Sequence, residues 1–142
     1  MDNNSQSYEA NLKKIQATAE ELVGYLVKHP KVERVLYPKL AGKEHYDLVK
    51  RNDGCYGGLF SMELKDASRV TSKFYDSLNF CKGPSLGTVF TIICPYTLLA
   101  HYYELEWAES CGVSRNLLRV SVGLEPYEVL KDRFDKALSL VN

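Results

Sequence analysis

One charged residue stands inside an otherwise apolar run of the sequence. Arg119 lies in the segment 117–124, whose leucines and valines predict a strand. With the two-residue period of a strand, Arg119 falls on the same face as Ser121 and opposite Val120. A buried guanidinium without a partner costs about 3 to 5 kcal/mol, whereas a bidentate carboxylate gives it strong hydrogen bonds. The pattern predicts a carboxylate of the protein or of a ligand against Arg119, unless this face is open to solvent, which is the usual position of an arginine.

Small residues and hydroxyls also gather in the segment 83–88, Gly-Pro-Ser-Leu-Gly-Thr, directly before a β-rich stretch. The backbone N–H groups of such a turn can hold an anion together with a hydroxyl such as that of Ser85, although most turns of this composition bind no ligand. Gly42-Lys43 lacks the earlier glycine and the following Ser or Thr of a phosphate loop, so no phosphate site is expected there.

The three histidines do not predict a catalytic triad. His29, His45 and His101 lie in three separate segments, and no nucleophile stands at a recognisable spacing from any of them. His101, which precedes Tyr102 and Tyr103, is the best placed for a role near a site. The same aromatic cluster is equally consistent with a partly buried helix face or with a protein interface.

The composition argues against several classes of function. The 18 basic and 18 acidic residues leave no net charge, which disfavours nucleic acid or an anionic membrane as a partner. No apolar stretch approaches the roughly 18 residues of a membrane span, and the polar residues 1–7 predict a loose segment without an export signal. The four cysteines are widely separated, which favours free thiols over zinc or disulfides. We expect one cytoplasmic domain without a metal site.

Periodicity predicts helices at both ends of the chain. Apolar residues recur at three- and four-residue steps from Leu12 to Leu26, which indicates a long amphipathic helix that ends near His29-Pro30. A final helix is expected to begin at Glu125-Pro126. Its apolar stripe comprises Tyr127, Leu130, Phe134, Ala137 and Val141.

Strand and helix signals follow one another between these two helices. Besides the Arg119 strand, segments of strand character are 32–37, 57–64 and 89–93. Phe60, Met62 and Leu64 are expected to point inward. Residues 39–54 predict a loop with a possible helical turn at 46–49.

Two further helices are predicted in the middle of the chain. Asp66 is expected to cap the first, which ends near Asn79. Pro95 opens the second, which continues to about Ala108 and is stopped by Gly112. Strands with helices on one side predict an α+β fold with an open, partly antiparallel sheet.

Taken in order, several of these segments resemble the C-terminal domain of the Cys/Met-metabolism family of pyridoxal-phosphate enzymes. The resemblance covers residues 8–142, and Cys94-Pro95-Tyr96-Thr97-Leu98-Leu99-Ala100-His101 looks most like the fungal cystathionine γ-synthase branch. The matching segments are 27–32, Tyr37-Pro38, 57–64, Ser85-Leu86-Gly87 and 118–125. The family implies the small C-terminal domain of fold-type I enzymes.

The resemblance also implies a site. In that family the arginine of the Arg-x-Ser-x-Gly strand binds the substrate α-carboxylate, and Arg119 stands at that position. Ser85 matches the serine that helps to hold the same group. Ser121, Leu86, Gly87 and His101 are expected to surround these two residues. The implied reaction replaces the γ-substituent of an activated homoserine ester with cysteine sulfur, and no residue of this chain is expected to carry out the chemistry itself.

Two departures from the family pattern limit this reading. Many relatives carry an acidic residue where this chain has Phe90, which leaves the choice between synthase and lyase open. The lysine that binds pyridoxal phosphate belongs to a preceding domain that this sequence does not match, and Thr71-Ser72-Lys73 lies in a predicted helix of the small domain. We therefore expect the chain alone to be inactive and without cofactor, and to partner the pyridoxal-phosphate domain or itself. The alternative is a stand-alone binding or oligomerisation domain derived from such an enzyme.

Overall fold

A computed structural model describes residues 7–141 of the chain. Apart from Ser7, the predicted loose segment 1–7 lies outside the described residues, as does Asn142. The strands are β1 (Val32–Leu36), β2 (Leu59–Leu64), β3 (Cys81–Lys82), β4 (Ile92–Pro95) and β5 (Leu118–Ser121). The helices are α1 (Tyr8–Leu26), α2 (Lys43–Val49), α3 (Ala67–Ser77), α4 (Tyr96–Ala100), α5 (Leu105–Ser110) and α6 (Tyr127–Ser139), with a 3₁₀ turn at Tyr102–Glu104.

The five strands form one open sheet in the order β1-β2-β5-β4-β3. All neighbouring strands run antiparallel except β3 and β4, which are parallel. This confirms the predicted α+β fold with a partly antiparallel sheet. Arg119 lies on the central strand, where Ser61 of β2 and Cys94 of β4 are its register partners on either side. The three side chains therefore share one face of the sheet.

The opposite face of the sheet carries the hydrophobic core. Phe60, Met62 and Leu64 of β2 are each at most 2% exposed, as predicted, and Leu118 and Val120 of β5 are fully buried beside them. Helices α1, α3 and α6 cover this face and contact one another across it. The hydrophobic core lies on the apolar face of the sheet, so the face that carries Arg119 can serve another purpose.

Several predicted boundaries were wrong in the middle of the chain. In the predicted loop at 39–54, the helical turn considered at 46–49 is present but begins earlier, as the seven-residue helix α2, which follows Gly42 with a left-handed φ of 77°. The single helix predicted from Pro95 to Ala108 is broken at His101, whose φ of −128° is not helical. The two-residue strand β3 was missed because two residues carry no periodic signal.

The predicted cap at Asp66 is also wrong. Asp66 precedes α3, but its backbone has a left-handed φ of 52° and its side chain forms no capping hydrogen bond. Its carboxylate instead lies 3.6 Å from the guanidinium of Arg69. No helix within residues 7–141 is long and apolar enough to cross a membrane. Over the same residues, no cluster of histidine, cysteine and acidic side chains is arranged to hold a metal ion, and all four cysteines are free.

Candidate functional site

The guanidinium of Arg119 is directed at the turn formed by residues 83–88. Its Nη2 donates hydrogen bonds to the carbonyl oxygens of Pro84 and, at 3.4 Å, of Ser85. Its Cζ lies 5.5 Å from the centroid of the Tyr96 ring, in cation–π contact. In the part of the chain that the structure describes, no carboxylate forms an ion pair with Arg119. Carbonyl dipoles and an aromatic face thus hold the cation in place of the protein carboxylate considered from sequence, and its full charge remains available to an anion.

Cys94 lies beside Arg119 on the neighbouring strand and is 2% exposed. Burial raises the pKa of the Cys94 thiol above its ordinary value, and the neighbouring Arg119 charge opposes this shift only in part. The thiol therefore stays protonated at neutral pH. A neutral neighbour does not cancel the charge of Arg119.

Ser121 joins the turn to the Arg119 strand. Its Oγ accepts a hydrogen bond of 3.0 Å from the backbone N–H of Gly87, and Ser121 itself is buried. Gly87 has a left-handed φ of 72°, a conformation that glycine adopts without strain. Further along the same two segments, the N–H of Leu124 donates to the carbonyl of Val89 at 2.8 Å. These two hydrogen bonds therefore fix the position of the turn relative to the Arg119 strand.

A second set of hydrogen bonds, centred on Thr91, fixes the far end of the turn. The Glu125 carboxylate accepts from the backbone N–H of Thr91 at 2.8 Å and from its hydroxyl at 2.9 Å. The Thr91 hydroxyl in turn accepts from the N–H of Gly123 at 2.9 Å. These contacts remove Thr91 from strand pairing, which is why the predicted β-rich segment 89–93 becomes a strand only from Ile92. Sequence reasoning missed this network because its members lie 32 and 34 residues apart without a shared period.

The predicted site residue Ser85 is close to Arg119 through its carbonyl oxygen. Its side chain is exposed, and within residues 7–141 its hydroxyl forms no hydrogen bond. Leu86 is 57% exposed and lies at the edge of a groove of about 390 Å³ between α1 and the turn. Ile15 and Leu59 line the same groove. The side chains of Ser85 and Leu86 are therefore both exposed.

His101 is connected to Arg119 through one aromatic ring. Its imidazole lies 6.0 Å from the Tyr96 ring in an edge-on arrangement, and Tyr96 contacts Arg119 with its face. The Nδ1 of His101 lies 2.6 Å from a carboxylate oxygen of Glu104. The structure thus brings Arg119, the 85–87 turn and Ser121 together. His101 is connected to Arg119 only through Tyr96. Tyr96 was not predicted from sequence; its position directly after a strand that pairs with Arg119 was the available signal.

The residues around Arg119 do not fit pyridoxal phosphate by themselves. That cofactor requires a lysine amine for its aldehyde, and among the described residues no lysine is hydrogen-bonded to Arg119 or Ser121. Lys82 directly precedes the turn, but its ammonium donates to the carbonyl of Asp76 and lies over the Tyr75 ring. Lys73 is exposed on α3, one of the helices on the opposite face of the sheet. The ammonium of Lys31 donates to the carbonyls of Leu138 and Val141 near the end of α6. No step of cofactor chemistry can be assigned to these residues.

Comparison with known proteins places the chain in a family. The model of the family described as Cys/Met metabolism PLP-dependent enzyme matches residues 8–139. The chain is 45% identical over 141 residues to cystathionine gamma-synthase of Neurospora crassa, covering 99% of this chain and 22% of that protein. Cystathionine gamma-synthase of Saccharomyces cerevisiae is 46% identical over 110 residues, or 75% of this chain and 17% of the yeast protein.

A solved structure agrees with this placement. Cystathionine gamma synthase from Xanthomonas oryzae pv. oryzae, in complex with cystathionine, superposes with a TM-score of 0.81 at 29% identity, over 94% of this chain and 35% of that one. The chain therefore spans about a fifth of the length of the curated relatives and about a third of this structure. On the family match, which extends over nearly all of its residues, the chain belongs to the Cys/Met metabolism PLP-dependent enzyme family.

Proposed function

We propose that the chain is the C-terminal, α-carboxylate-binding domain of a cystathionine γ-synthase-like enzyme. The observation that carries this proposal is the guanidinium of Arg119, which is held by two carbonyl oxygens and an aromatic ring and has no carboxylate partner among residues 7–141. A planar carboxylate is the natural ligand of such a fork of N–H donors. The exposed hydroxyl of Ser85 is beside it and is proposed to donate to the same group.

The role of the domain is to bind and orient the substrate. Fixing the carboxylate of an amino acid determines where its Cα and γ-substituent point, which contributes to catalysis by positioning. In the proposed overall reaction, cysteine sulfur forms a bond to Cγ of the activated homoserine ester. The Cγ–O bond breaks, and the acid leaves with the thiol proton, which gives cystathionine. The cofactor chemistry is proposed to be supplied by another polypeptide segment, because none of the contacts of Arg119 within residues 7–141 involves a lysine.

A partner segment has a surface on which to dock. The groove between α1 and the 85–88 turn is lined mainly by apolar side chains, including Leu12, Ile15, Leu86 and Val89. It lies next to the Ser121–Gly87 contact, so a segment seated there is adjacent to the carboxylate site. We propose that the pyridoxal-phosphate domain covers this groove and that the assembly acts in the cytoplasm.

Self-association is a second candidate function, and a specific observation supports it. Leu48 and Val49 on α2 are each 83% exposed, and Tyr103 is 98% exposed. Large apolar side chains at such exposure are typical of interfaces. A stand-alone interaction domain predicts that sedimentation gives a dimer or larger species, and that Leu48→Lys with Val49→Lys returns it to a monomer. A native chain that stays monomeric at high micromolar concentration contradicts this candidate.

Complementation tests the first proposal. The Neurospora crassa enzyme lacking its matched region is purified with its cofactor and mixed with this chain, and cystathionine formation is measured from the activated homoserine ester and cysteine. Each component alone is expected to be silent, and the mixture active. Activity of this chain alone overturns the proposal. So does a mixture that forms a complex and remains inactive while the matched region of the Neurospora enzyme restores activity in a parallel sample.

A further inference from the structure

Tyr96 contacts Arg119 with the face of its ring, at a distance of 5.5 Å from the ring centroid to Cζ. Tyr96 is the first residue of α4 and follows β4 directly, where Cys94 is the register partner of Arg119. Its backbone N–H donates to the carbonyl of Leu117 at 3.0 Å, which ties the start of α4 to the segment before β5. The backbone contacts of β4 with β5, and of Tyr96 with the segment before β5, therefore place the ring over the guanidinium.

The ring of Tyr96 also contacts an imidazole. The imidazole of His101 meets it edge-on at 6.0 Å with an interplanar angle of 68°. His101 is fixed by the Glu104 carboxylate at 2.6 Å and by the indole of Trp107 at 6.1 Å. His101 and Tyr96 thus connect the broken helix after β4 to Arg119.

The contact uses the ring face of Tyr96 and leaves its hydroxyl free. Within residues 7–141 this hydroxyl forms no hydrogen bond, and the side chain is only half-buried and does not belong to the core. A residue retained for core packing would be buried, and one retained for a polar contact would engage its hydroxyl. The quadrupole of an aromatic face attracts a guanidinium, which is the interaction that remains.

We propose that Tyr96 is the positioning residue that fixes the plane of the Arg119 guanidinium for the substrate carboxylate. The proposal rests on the proposed function of Arg119. The carbonyls of Pro84 and Ser85 hold one edge of the guanidinium through Nη2, and the ring fixes its plane. Because the edge and the plane of the guanidinium are both fixed, its remaining N–H donors point in one direction. Without the Tyr96 ring, the guanidinium can rotate about the edge that is anchored through Nη2.

The mobility of Arg119 tests this contact in the 142-residue chain without any ligand. The order parameter of the Arg119 Nε–Hε bond is measured by ¹⁵N relaxation, with the resonance assigned by its loss in Arg119→Lys. A rigid group, with an order parameter near about 0.8, is expected in the native chain and in Tyr96→Phe, and a value below about 0.6 in Tyr96→Leu and Tyr96→Met. Tyr102→Leu, on the same segment without a contact to Arg119, is the matched control and leaves the value unchanged. A rigid Arg119 in both ringless variants, or a mobile one in Tyr96→Phe, overturns the proposal.

A titration separates this proposal from the proposed function on which it rests. The same variants are titrated with L-homoserine and with L-homoserine amide, which lacks the carboxylate. Native chain and Tyr96→Phe are expected to bind L-homoserine within about twofold of each other, and Tyr96→Leu about 3- to 10-fold more weakly. If Arg119→Lys binds L-homoserine as well as the native chain, carboxylate binding by Arg119 is wrong whatever Tyr96 does. If Arg119→Lys loses binding and Tyr96→Leu does not, only the positioning role is wrong.

Discussion

The hydroxyl of Ser121 accepts a hydrogen bond of 3.0 Å from the backbone N–H of Gly87, across 34 residues of sequence. Ser121 lies two residues after Arg119 on β5, and Gly87 lies two residues after Ser85 in the turn. This bond therefore helps to set the distance between the two predicted substrate-binding residues, together with the hydrogen bonds from Arg119 to the turn. Ser121 was expected to surround the site, and the structure gives it a specific partner.

Replacing Ser121 with alanine removes that bond. Because Gly87 is exposed and its N–H can turn to water, we expect a modest loss of about 0.5 to 1.5 kcal/mol in the free energy of unfolding, measured in urea. Hydrogen exchange of the Gly87 amide should become faster at the same time. Ser110→Ala is the matched control, since the Ser110 hydroxyl donates to Trp107 on exposed helix α5. Unchanged protection of Gly87 in Ser121→Ala would show that the bond does not hold the turn.

Gly123 is the point at which the turn and the end of β5 come closest. A Cβ at this position would lie 2.4 Å from the carbonyl carbon of Phe90 and 2.5 Å from an oxygen of Glu125. Gly123→Ala is therefore expected to destabilise the chain by about 3 kcal/mol and to displace the turn. Gly24 is an exposed position of α1, where a Cβ would meet nothing within 4 Å. Gly24→Ala should instead stabilise the chain by about 0.5 to 1 kcal/mol. Equal effects of the two substitutions on thermal unfolding would contradict the close approach.

The protonation of Cys94 is expected to differ from that of an exposed cysteine. Burial raises the pKa of its thiol above the ordinary value of 9.0, so the thiol should remain mostly protonated at pH 9. Arg119→Met removes the positive charge that favours the thiolate, so it should raise the Cys94 pKa further. The ¹³Cβ chemical shifts of the cysteines, followed from pH 7 to 10.5, measure both effects. A Cys94 thiol that titrates at or below the ordinary value of 9.0 would contradict its burial.

Stability should fall in alkaline solution through Tyr25. Burial, together with the hydrogen bond that its hydroxyl donates to Asp135, raises the pKa of Tyr25 from 10.0 to about 12. The folded chain thus binds this proton more tightly than the unfolded chain. Its contribution is fully present below pH 10 and is lost as the pH rises from 10 to about 12.

The variant Tyr25→Phe checks this contribution. The free energy of unfolding should fall less steeply between pH 10 and 12 in Tyr25→Phe than in the native chain. A smaller slope should persist, because burial also raises the pKa of Tyr37. Tyr103→Phe, at a side chain that is 98% exposed, is the control and should leave the slope unchanged. Identical slopes for native and Tyr25→Phe would contradict the assigned cause.

Local patterns in the sequence were sufficient for most of the fold. The spacing of apolar residues in α1 and α6 and the alternation of Phe60, Met62 and Leu64 correspond to buried faces, because periodicity reports directly which side of an element is covered. The breaks were less predictable. Thr91 leaves strand geometry because the distant Glu125 carboxylate binds it, and His101 ends a helix while it contacts Glu104 and Tyr96. Such contacts have no signature in a local window.

The sequence indicated individual residues of the candidate site but not the contacts between them. The position of Arg119 and of the 85–87 turn followed from the family resemblance, and the structure brings them into contact. The contact between Arg119 and Ser85 was not predicted: it is made by the carbonyl oxygen of Ser85 and not by its hydroxyl. Tyr96 could not be found from periodicity, because it lies at the junction of β4 and α4 and contacts Arg119 23 residues away. A strand register of Cys94 against Arg119 would have been needed first.

The Michaelis constant of the complemented enzyme for the activated homoserine ester tests carboxylate binding by Arg119 most directly. The native chain, Arg119→Ala and Arg115→Ala are each combined with the Neurospora crassa enzyme that lacks its matched region. Arg115 is the control because it pairs with Glu109 on the surface. We predict that Arg119→Ala raises the Michaelis constant by about 100-fold, as loss of a charged hydrogen-bond pair would, while Arg115→Ala leaves it within about twofold. A Michaelis constant and turnover number unchanged in Arg119→Ala would contradict the assignment of the substrate carboxylate to this arginine.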